Sequence, residues 1–534
     1  MSGRPPIRYA AALLACAALL AGVWVWAAMR RPGPPGQCGR AGRPPRLSPD
    51  YAGAVIPPNI APLNFRVAEA GVAYFVRLRS ASGEGVSVAS RSPSITIPAK
   101  AWRDLLRRNR GAELRLEVYA RAADGHWDQF DTVRSTVAED EVDSHVVYRL
   151  IHSVYNLYVT MGIYQRDLES YDESLVLDNA SFDDGCMNCH TFAANRPDRM
   201  AIQVRRGRVD YGNAMVVADQ AGVRKVDTRS AVSPAPPAYM AWHPSGRLAA
   251  FSMNKVRQFF HTSRQEPRDV LDLESDLALY LADSGEVVST PDIARPERLE
   301  TYPAWSADGS YLYFCSAPIL WSDREKVPPD RFNEVRYDLM RIRCDVEAHT
   351  WGPLETVLSA QETGRSITLP RLSPDGRFLL FCMSAYGCFP IHHADADLYM
   401  MDLRTGGYRR LEANSEQADT WHSWSSNGRW FVFSSKRPDG LLARLYLAHV
   451  DEAGNVGRPF LMPQEDPSFY DTFLKTYNVP ELVTGPVRVR GEDIAGAIRS
   501  DKWAKAELPV TAATPRAEGG PAPYSDGGPW QPRR

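Results

Sequence analysis

The sequence lacks several features that would identify a common function directly. It has no surplus of positive charge, because 62 basic and 64 acidic side chains leave a net charge of −2. It therefore offers no extended basic field to DNA or RNA, and we expect no nucleic-acid partner. It also contains no Gly-rich phosphate loop, no nucleophile elbow and no His-Glu-x-x-His zinc signature. These absences exclude the most readily recognised nucleotide, hydrolase and zinc-protease sites.

What is present begins with a long apolar run at the amino terminus, from Tyr9 to Met29, with basic residues at both ends. A helix needs about 20 apolar residues to cross a bilayer. Bulky Trp24 and Trp26 stand where a cleaved signal peptide would have small residues. The run therefore predicts an uncleaved signal-anchor over residues 1–30. We expect a bacterial protein anchored in the inner membrane, with the bulk of the chain in the periplasm.

A chain of 534 residues is long enough for two or three folded units. A Pro-rich segment, 31–54, is predicted to be a tether, and an Ala-, Pro- and Gly-rich segment, 511–534, a disordered tail. Alternating strands and Gly- and Ser-rich turns over 55–140 predict a small β-sandwich-like domain. Within 141–197 the apolar residues recur at three and four, which predicts an amphipathic helix before a cysteine-bearing loop.

Four later segments repeat one pattern, a polar Gly turn followed by an apolar strand. They begin Trp242-His-Pro-Ser-Gly, Trp305-Ser-Ala-Asp-Gly, Leu372-Ser-Pro-Asp-Gly and Trp424-Ser-Ser-Asn-Gly. Their glycines lie 63, 67 and 52 residues apart. These spacings exceed the ~40–45 residues of a compact propeller blade, which indicates insertions within blades.

These segments resemble the TolB-type propeller repeat, in which a Trp-Ser-Pro-Asp-Gly turn precedes a strand ending in small residues. The resemblance implies a TolB-like β-propeller, which we assign to 198–510 and expect to have six or seven blades. A single blade cannot cover both of its faces, so blades close radially on one another. The resemblance also implies binding of a partner protein at the mouth of the ring.

The chemistry-bearing motif is Cys186-Met-Asn-Cys189-His190, a Cys-x-x-Cys-His sequence. Its two thiols are spaced to join the two vinyl groups of a porphyrin, and the adjoining imidazole can reach the iron. With 8 cysteines and 11 histidines in 534 residues, roughly 0.002–0.003 such motifs would arise by chance. The motif resembles that of mono-haem c-type cytochromes. It implies one covalent haem c on Cys186 and Cys189, with His190 as the proximal iron ligand.

Three other interpretations remain open for these residues. A zinc site would require further ligands nearby, a redox dithiol would require a thioredoxin-like context, and a plain disulfide is a third alternative. The chain also departs from free-standing class I cytochromes, because no compact set of three helices follows the motif. That departure leaves the sixth iron ligand undetermined. His261 is our preferred candidate, and the alternatives are His243, Met200, Met253, Met161 and His152.

Other clusters are weaker. His392, His393 and Asp395 combine metal-ligand residue types, but Asp397 begins a repeat strand, which favours a loop at a blade edge. Cysteine pairs with disulfide potential are Cys315 with Cys344 and Cys382 with Cys388.

Function is therefore predicted in three classes. The first is electron transfer by the haem to or from periplasmic or membrane redox proteins docked on the propeller. The second is a scaffold or assembly propeller with a structural or sensing haem, and the third is a haem oxidoreductase with an open iron site. A propeller fold is compatible with all three functions and does not distinguish them.

Overall fold

The computed structural model describes residues 36, 38–152, 160–205, 213–229, 237–323, 326–345, 348 and 350–505. These residues form two compact units. The first contains the described residues up to 53, together with 62–137 and 463–471, and the second contains 54–61, 138–462 and the described residues from 472. The predicted signal-anchor (1–30) and tail (511–534) lie outside the described residues. Within them, no helix is both long and apolar enough to span a bilayer.

The first unit contains two sheets and a ten-residue helix, α1 (Ala99–Arg108). Its strands are β1 (Gly39–Arg40), β2 (Leu47–Ser48), β4 (Phe65–Val67), β5 (Ala73–Arg79), β6 (Val86–Ser90), β7 (Ser94–Ile95), β8 (Glu113–Arg121), β9 (Trp127–Gln129) and β10 (Val133–Val137). β8 pairs with β5, β9 and β10, whereas β2, β4 and β7 form the smaller sheet. The helix buries Trp102, Leu105 and Leu106, which share one helical face. The sandwich arrangement stays a prediction.

Part of the predicted tether is folded into this unit, which corrects the assignment of 31–54. Residues 38–53 supply β1 and β2, and β1 runs parallel to β9. Two arginines of this segment, Arg43 and Arg46, pair with Glu69 at 2.7 and 3.4 Å. Hydrogen bonds from Arg43 lower the pKa of Glu69 to about 2. The amino-acid composition of the segment predicted an extended linker, because composition alone contains no information about ion pairs with distant residues.

The second unit is built from six sheets, each of four or five strands, in the described part of the chain. Blade 1 contains β11 (His145–His152), β12 (Met161–Asp167), β13 (Glu173–Asp178) and β34 (Lys475–Val483); blade 2 contains β14 (Cys186–Phe192), β15 (Met200–Arg205), β16 (Ala214–Asp219), β17 (Gly222–Asp227) and β35 (Ala504–Lys505); blade 3 contains β18 (Met240–Trp242), β19 (Leu248–Phe260), β20 (Arg268–Leu281) and β21 (Val287–Val288).

The remaining three blades follow the same plan. Blade 4 contains β22 (Arg298–Trp305), β23 (Tyr311–Pro318), β24 (Asp338–Asp345) and β25 (Thr350–Leu358); blade 5 contains β26 (Ser366–Leu372), β27 (Phe378–Ser384), β28 (Asp397–Asp402) and β29 (Tyr408–Arg410); blade 6 contains β30 (Asp419–Trp424), β31 (Trp430–Ser435), β32 (Arg444–His449) and β33 (Phe460–Leu461). The short strand β3 (Val55–Ile56) and the helices α2 (Ala360–Thr363) and α4 (Gly491–Arg499) also belong to this unit, and α3 (Phe469–Thr472) lies at the unit boundary.

The six sheets form a closed ring. The inner strands β14, β18, β22, β26 and β30 each contact the next, and β34 contacts both β30 and β14. Blade 1 takes its inner strand, β34, from the carboxyl-terminal part of the chain, where it pairs with β11. The architecture is a six-bladed β-propeller, which confirms the predicted propeller-type fold.

The polar turns of the repeats lie between the first and second strands of blades 3 to 6. Gly246, Gly309, Gly376 and Gly428 have φ of 70°, 75°, 71° and 67° there. Glycine adopts this left-handed conformation without steric cost, which explains why it recurs at the turn.

The helix predicted within 141–197 is wrong. Residues 145–152 form β11, which is paired on both edges, with β12 and with β34. Its central residues, from Val146 to Leu150, are buried on both faces of the sheet. A strand covered on both faces has a nearly continuous apolar sequence, which periodicity alone does not distinguish from a buried helix. The propeller therefore begins before residue 198 and includes the cysteine motif.

Candidate functional site

Bulges in the inner strands turn side chains into the centre of the ring. In blades 4, 5 and 6 the strand register shifts around Tyr302, Leu369 and Trp421, whose φ values are 53°, 56° and 46°. The pairing of β34 with β11 is irregular at the corresponding place, where Val479 has a φ of 47°. In β14 the shift lies between Met187 and His190. A β-bulge re-aims a side chain in this way.

One side chain from each blade fills the central channel. These six residues are Cys189, Tyr239, Tyr302, Leu369, Trp421 and Val479. They border a cavity of about 20 Å³, which holds about one water molecule. The six side chains therefore close the channel at the place where they meet.

Aromatic packing accounts for much of the plug. The rings of Tyr239 and Tyr302 lie 4.3 Å apart, and Trp421 lies 5.9 and 6.1 Å from them. Tyr302 donates a hydrogen bond from its hydroxyl to the Cys388 carbonyl oxygen at 2.6 Å. Such tilted and edge-on contacts stabilise a core beyond the area that they bury.

The cysteine motif occupies this channel strand, and its two thiols lie in different surroundings. Cys189 joins the channel cluster. Cys186 instead packs in a second cluster with Met161 and Met200. Cys186, Cys189 and His190 are all at least 93% buried. The extended backbone thus separates two sulfurs that a helical turn would place on one face.

His190 has a close structural counterpart in blade 6. Its Nε2 lies 3.4 Å from the Val147 carbonyl oxygen, and the Nε2 of His422 lies 3.1 Å from that of Leu380. Both rings leave Nδ1 without a hydrogen-bond partner. Burial lowers the pKa of each to about 3, so both imidazoles are neutral. The same type of imidazole-to-carbonyl contact therefore occurs in two blades of the propeller, blade 2 and blade 6.

Further contacts fix the motif strand in place. Arg149 donates to the carbonyl oxygens of Met187 and Asn188 at 3.0 and 2.6 Å. Glu481 accepts the amide of Phe192 at 3.0 Å. Burial raises the pKa of Glu481, although Arg371, 3.3 Å away, opposes that shift.

These observations test whether the motif fits a covalent haem in this fold. The residue types suit one, since the motif supplies two thiols and a neutral imidazole. The packing does not, because Cys186 and Cys189 belong to different clusters and the cavity beside Cys189 and His190 is about 20 Å³. Pockets for organic ligands usually measure about 300–1,000 Å³. The packed strand does not accommodate a porphyrin.

The preferred candidate for the distal ligand lies elsewhere in the propeller. His261 contacts Asp269, with its Nε2 3.1 Å from the carboxylate, and is absent from the lining of the cavity beside His190. His243 bridges the Ser245 hydroxyl at 2.7 Å and the Gly309 carbonyl oxygen at 3.1 Å.

The other candidates are distributed among several cores. Met161 and Met200 pack in the cluster that contains Cys186, and Met253 packs in a separate cluster. His152 is half-buried at the end of β11. The structure brings none of the six candidates into the channel cavity with His190.

A second concave site lies under an extension of blade 3. Strands β19 and β20 have 13 and 14 residues, and the hairpin that they form reaches residues of blades 5 and 6. Gln265 donates to the Asp439 carbonyl oxygen at 2.7 Å, and Arg264 donates to the Tyr386 hydroxyl at 3.0 Å. The cavity beside these contacts measures about 430 Å³, and we call it the hairpin pocket.

One carboxylate beside this pocket gathers four polar side chains. Asp269 accepts hydrogen bonds from the Tyr386 hydroxyl at 2.6 Å and from His261 at 3.1 Å, and its other oxygen lies 3.3 Å from His393. Arg264 is 3.6 Å away. Burial would raise the pKa of Asp269, but these contacts lower it to about 2. Burial raises the pKa of Tyr386 to about 12, which keeps it a hydrogen-bond donor.

A second carboxylate, Glu266, is part of the pocket lining. Lys436 lies 2.5 Å from it, Arg268 2.8 Å and His392 3.8 Å. Burial opposes ionisation, yet these partners hold the pKa of Glu266 well below its usual range. Burial lowers the pKa of Lys436 to about 8 and that of His392 to about 4. Perturbed groups clustered in a cleft are typical of functional sites.

The sequence indicated this site only indirectly. The loop interpretation of His392 and His393 is consistent with their place in a short turn before β28, and no metal-binding group of three His, Cys, Asp or Glu residues occurs among the described residues. Asp269, Glu266 and Lys436 were not predicted. The available signal was the spacing of 63 residues between Gly246 and Gly309. That insertion is the long hairpin.

The two possible disulfides are not formed, since all four cysteines are free thiols. Cys315 pairs in register with Leu339, five residues before Cys344. At about 3.4 Å per strand residue this offset is roughly 17 Å. A disulfide requires a Cα separation of about 4.4–6.8 Å, so the first pair is excluded.

No protein-family profile matches the chain, and no characterised protein matches it in sequence. Solved structures similar to it include the Dos1 propeller, at 12% identity over 54% of this chain and 64% of that one, with a TM-score of 0.34. An oligogalacturonate lyase from Vibrio parahaemolyticus is 12% identical over 64% of this chain and 88% of that one, with a TM-score of 0.32. The chain thus spans less than two thirds of the Dos1 propeller. With TM-scores this low, the propeller assignment depends on the strand pairing.

Proposed function

We propose that the chain is an exported, partner-binding propeller of the TolB-like repeat type. The observation that carries this proposal is the plugged channel, in which one side chain from each blade leaves space for about one water. A ring closed in this way offers its outer surfaces for binding. The predicted signal-anchor would hold it in the inner membrane, with the propeller in the periplasm.

The tip of the hairpin is the surface that we assign to the partner. Phe260, at the end of β19, is 44% exposed, and Leu441 is 37% exposed beside the residues that Gln265 contacts. Exposed large apolar side chains at such a position favour protein–protein contact.

The test is cross-linking and co-purification of the full chain from its own membrane. We expect a defined partner to be lost when Phe260→Ser and Leu441→Ser are combined. The matched control is Tyr408→Ser, because Tyr408 is 41% exposed on the outer strand of blade 5. Retention of the partner by Cys186→Ala with Cys189→Ala would support a binding function that does not depend on haem. Equal recovery from the wild type and from the hairpin variant would contradict the assignment.

Electron transfer by a covalent haem c is the second candidate. It is favoured by one specific observation, the Cys-x-x-Cys-His spacing of Cys186, Cys189 and His190. Because the packed strand has no room for a porphyrin, the haem-bound chain would need a more open arrangement of blade 2. The redox partner would then be another periplasmic or membrane redox protein.

A pyridine haemochrome spectrum distinguishes the two candidates. The chain is produced with and without a cytochrome c maturation system and compared with Cys186→Ala and Cys189→Ala. Covalent haem in the wild type alone would establish the second candidate. Absence of the spectrum and of the added mass under both conditions would leave the binding propeller.

A further inference from the structure

We propose that the hairpin pocket binds a small organic carboxylate, with Arg264 as its recognition residue. This inference is independent of partner binding and of haem. It depends on the pocket volume of about 430 Å³, which is in the range of small-molecule sites, and on the charges around it.

The charged side chains that line the pocket are balanced, because Arg264 and Lys436 stand with Glu266 and Asp395. Glu266 pairs with Lys436 at 2.5 Å and with Arg268 at 2.8 Å, and Asp395 pairs with Arg365 at 3.0 Å. Arg264 makes the longest of these ion pairs, 3.6 Å to Asp269. It is therefore the lining charge that is best placed to meet an anion.

The carboxylates themselves are saturated. Both oxygens of Glu266 accept hydrogen bonds, from Arg268 and from Lys436. One oxygen of Asp269 accepts from Tyr386, and its two oxygens lie within 3.3 Å of His261 and His393. Neither of these two carboxylates offers its charge to an incoming cation or ammonium group.

Arg264 supplies the exposed positive charge. Its side chain is 41% exposed, and its recorded polar contacts are one hydrogen bond to Tyr386 and the 3.6 Å approach to Asp269. A guanidinium presents a planar fork that matches a carboxylate with two parallel hydrogen bonds. Asp395, which also lines the pocket, pairs with Arg365 at 3.0 Å and adds no net charge.

The rest of the lining suits an organic anion with further polar groups. Gln265 and Gln417 present amides, and Tyr386 contributes an aromatic ring, all within the lining. These side chains can contact hydroxyl or carbonyl groups and the carbon skeleton of the ligand. A hydroxylated di- or tricarboxylate combines both features.

The test is calorimetric titration of the full chain with citrate at constant ionic strength. Inorganic phosphate and neutral sorbitol serve as alternative probes. The variant is Arg264→Gln, and the matched control is Arg247→Gln. Arg247 is a 54% exposed arginine of the same blade, which pairs with Asp283. The thermal midpoint of each protein shows that it remains folded.

We expect citrate to bind the wild type and Arg247→Gln alike, and Arg264→Gln at least about tenfold more weakly, as loss of a charge-assisted hydrogen bond implies. Equal affinity for Arg264→Gln, or no citrate binding at millimolar concentration, would overturn the proposal. Tighter binding of phosphate would replace the carboxylate by a phosphate ligand. Equal binding of sorbitol would show that charge plays no part.

Discussion

Blades 2 and 6 each place a bulged inner strand at the centre of the ring and fill the channel with different side chains. In β14 the channel position is Cys189, followed by His190, and in β30 it is Trp421, followed by His422. Both histidines approach a carbonyl oxygen of the preceding blade and leave Nδ1 unpartnered. The imidazole of the Cys-x-x-Cys-His motif therefore has a counterpart in a blade that carries no cysteine at this place.

The difference between the blades lies in the thiols. Blade 6 fills its channel position with a large indole, whereas blade 2 uses a small thiol and has a second thiol, Cys186, in another cluster. The fold therefore explains why a buried imidazole stands at His190 and why the side chain of Cys189 lies in the channel. It gives no account of why Cys186 stands three residues earlier.

The largest expected effect in this comparison is on stability. Trp421→Ala removes the largest channel side chain, and we expect the free energy of unfolding of the propeller to fall by about 3–5 kcal/mol. Cys189→Ala at the equivalent position removes one sulfur atom, for which we expect about 1 kcal/mol. Urea unfolding followed by tryptophan fluorescence and circular dichroism measures both. Equal losses would show that blade 2 does not share the channel packing of blade 6.

Thiol reactivity is the next effect in size. Burial raises the pKa of Cys189 to about 11 from a reference value of 9.0, which lowers the thiolate fraction about a hundredfold at neutral pH. In protein produced without haem attachment, we expect iodoacetamide to label exposed Cys38 first and Cys189 only after denaturation. Peptide mass spectrometry gives the order. Rapid labelling of Cys189 in the folded protein would contradict its place in the channel.

Per pH unit, the smallest expected effect is the pH dependence of stability. The pKa of His190 and of His422 is about 3 in the folded protein and close to 6.5 in the unfolded chain. The unfolded chain therefore takes up these protons first, and stability falls as the pH decreases from about 6.5 towards 3. Each histidine contributes a slope of up to about 1.4 kcal/mol per pH unit.

We expect His190→Gln and His422→Gln to reduce this slope equally, because the two rings have the same burial and bonding. Urea unfolding at several pH values between 6.5 and 4 measures it. A reduction for His422→Gln alone would mean that His190 is not held as its counterpart is.

The sequence predicted best where local chemistry repeats. Gly246, Gly309, Gly376 and Gly428 identified blades 3 to 6, because each turn requires a left-handed residue. The sequence did not identify blade 1, because β11 is buried on both faces and its partner β34 is more than 300 residues away. No local pattern records such a pairing.

The candidate site was predicted only in part, for a related reason. The Cys-x-x-Cys-His motif is visible in the sequence, but the bulged strand that separates Cys186 from Cys189 depends on the pairing of β14 with β15. The charges of the hairpin pocket come from blades 3, 5 and 6. Asp269 and His393 are 124 residues apart and meet only in the folded ring.

The most direct test of β14 as a packed channel strand is amide hydrogen exchange, measured by mass spectrometry on protein produced without haem attachment. We expect residues 186–192 to exchange as slowly as residues 419–424 of β30, because both strands lie in the same closed ring. Rapid exchange of 186–192 beside protected 419–424 would contradict this placement. It would instead identify the cysteine motif as an open segment.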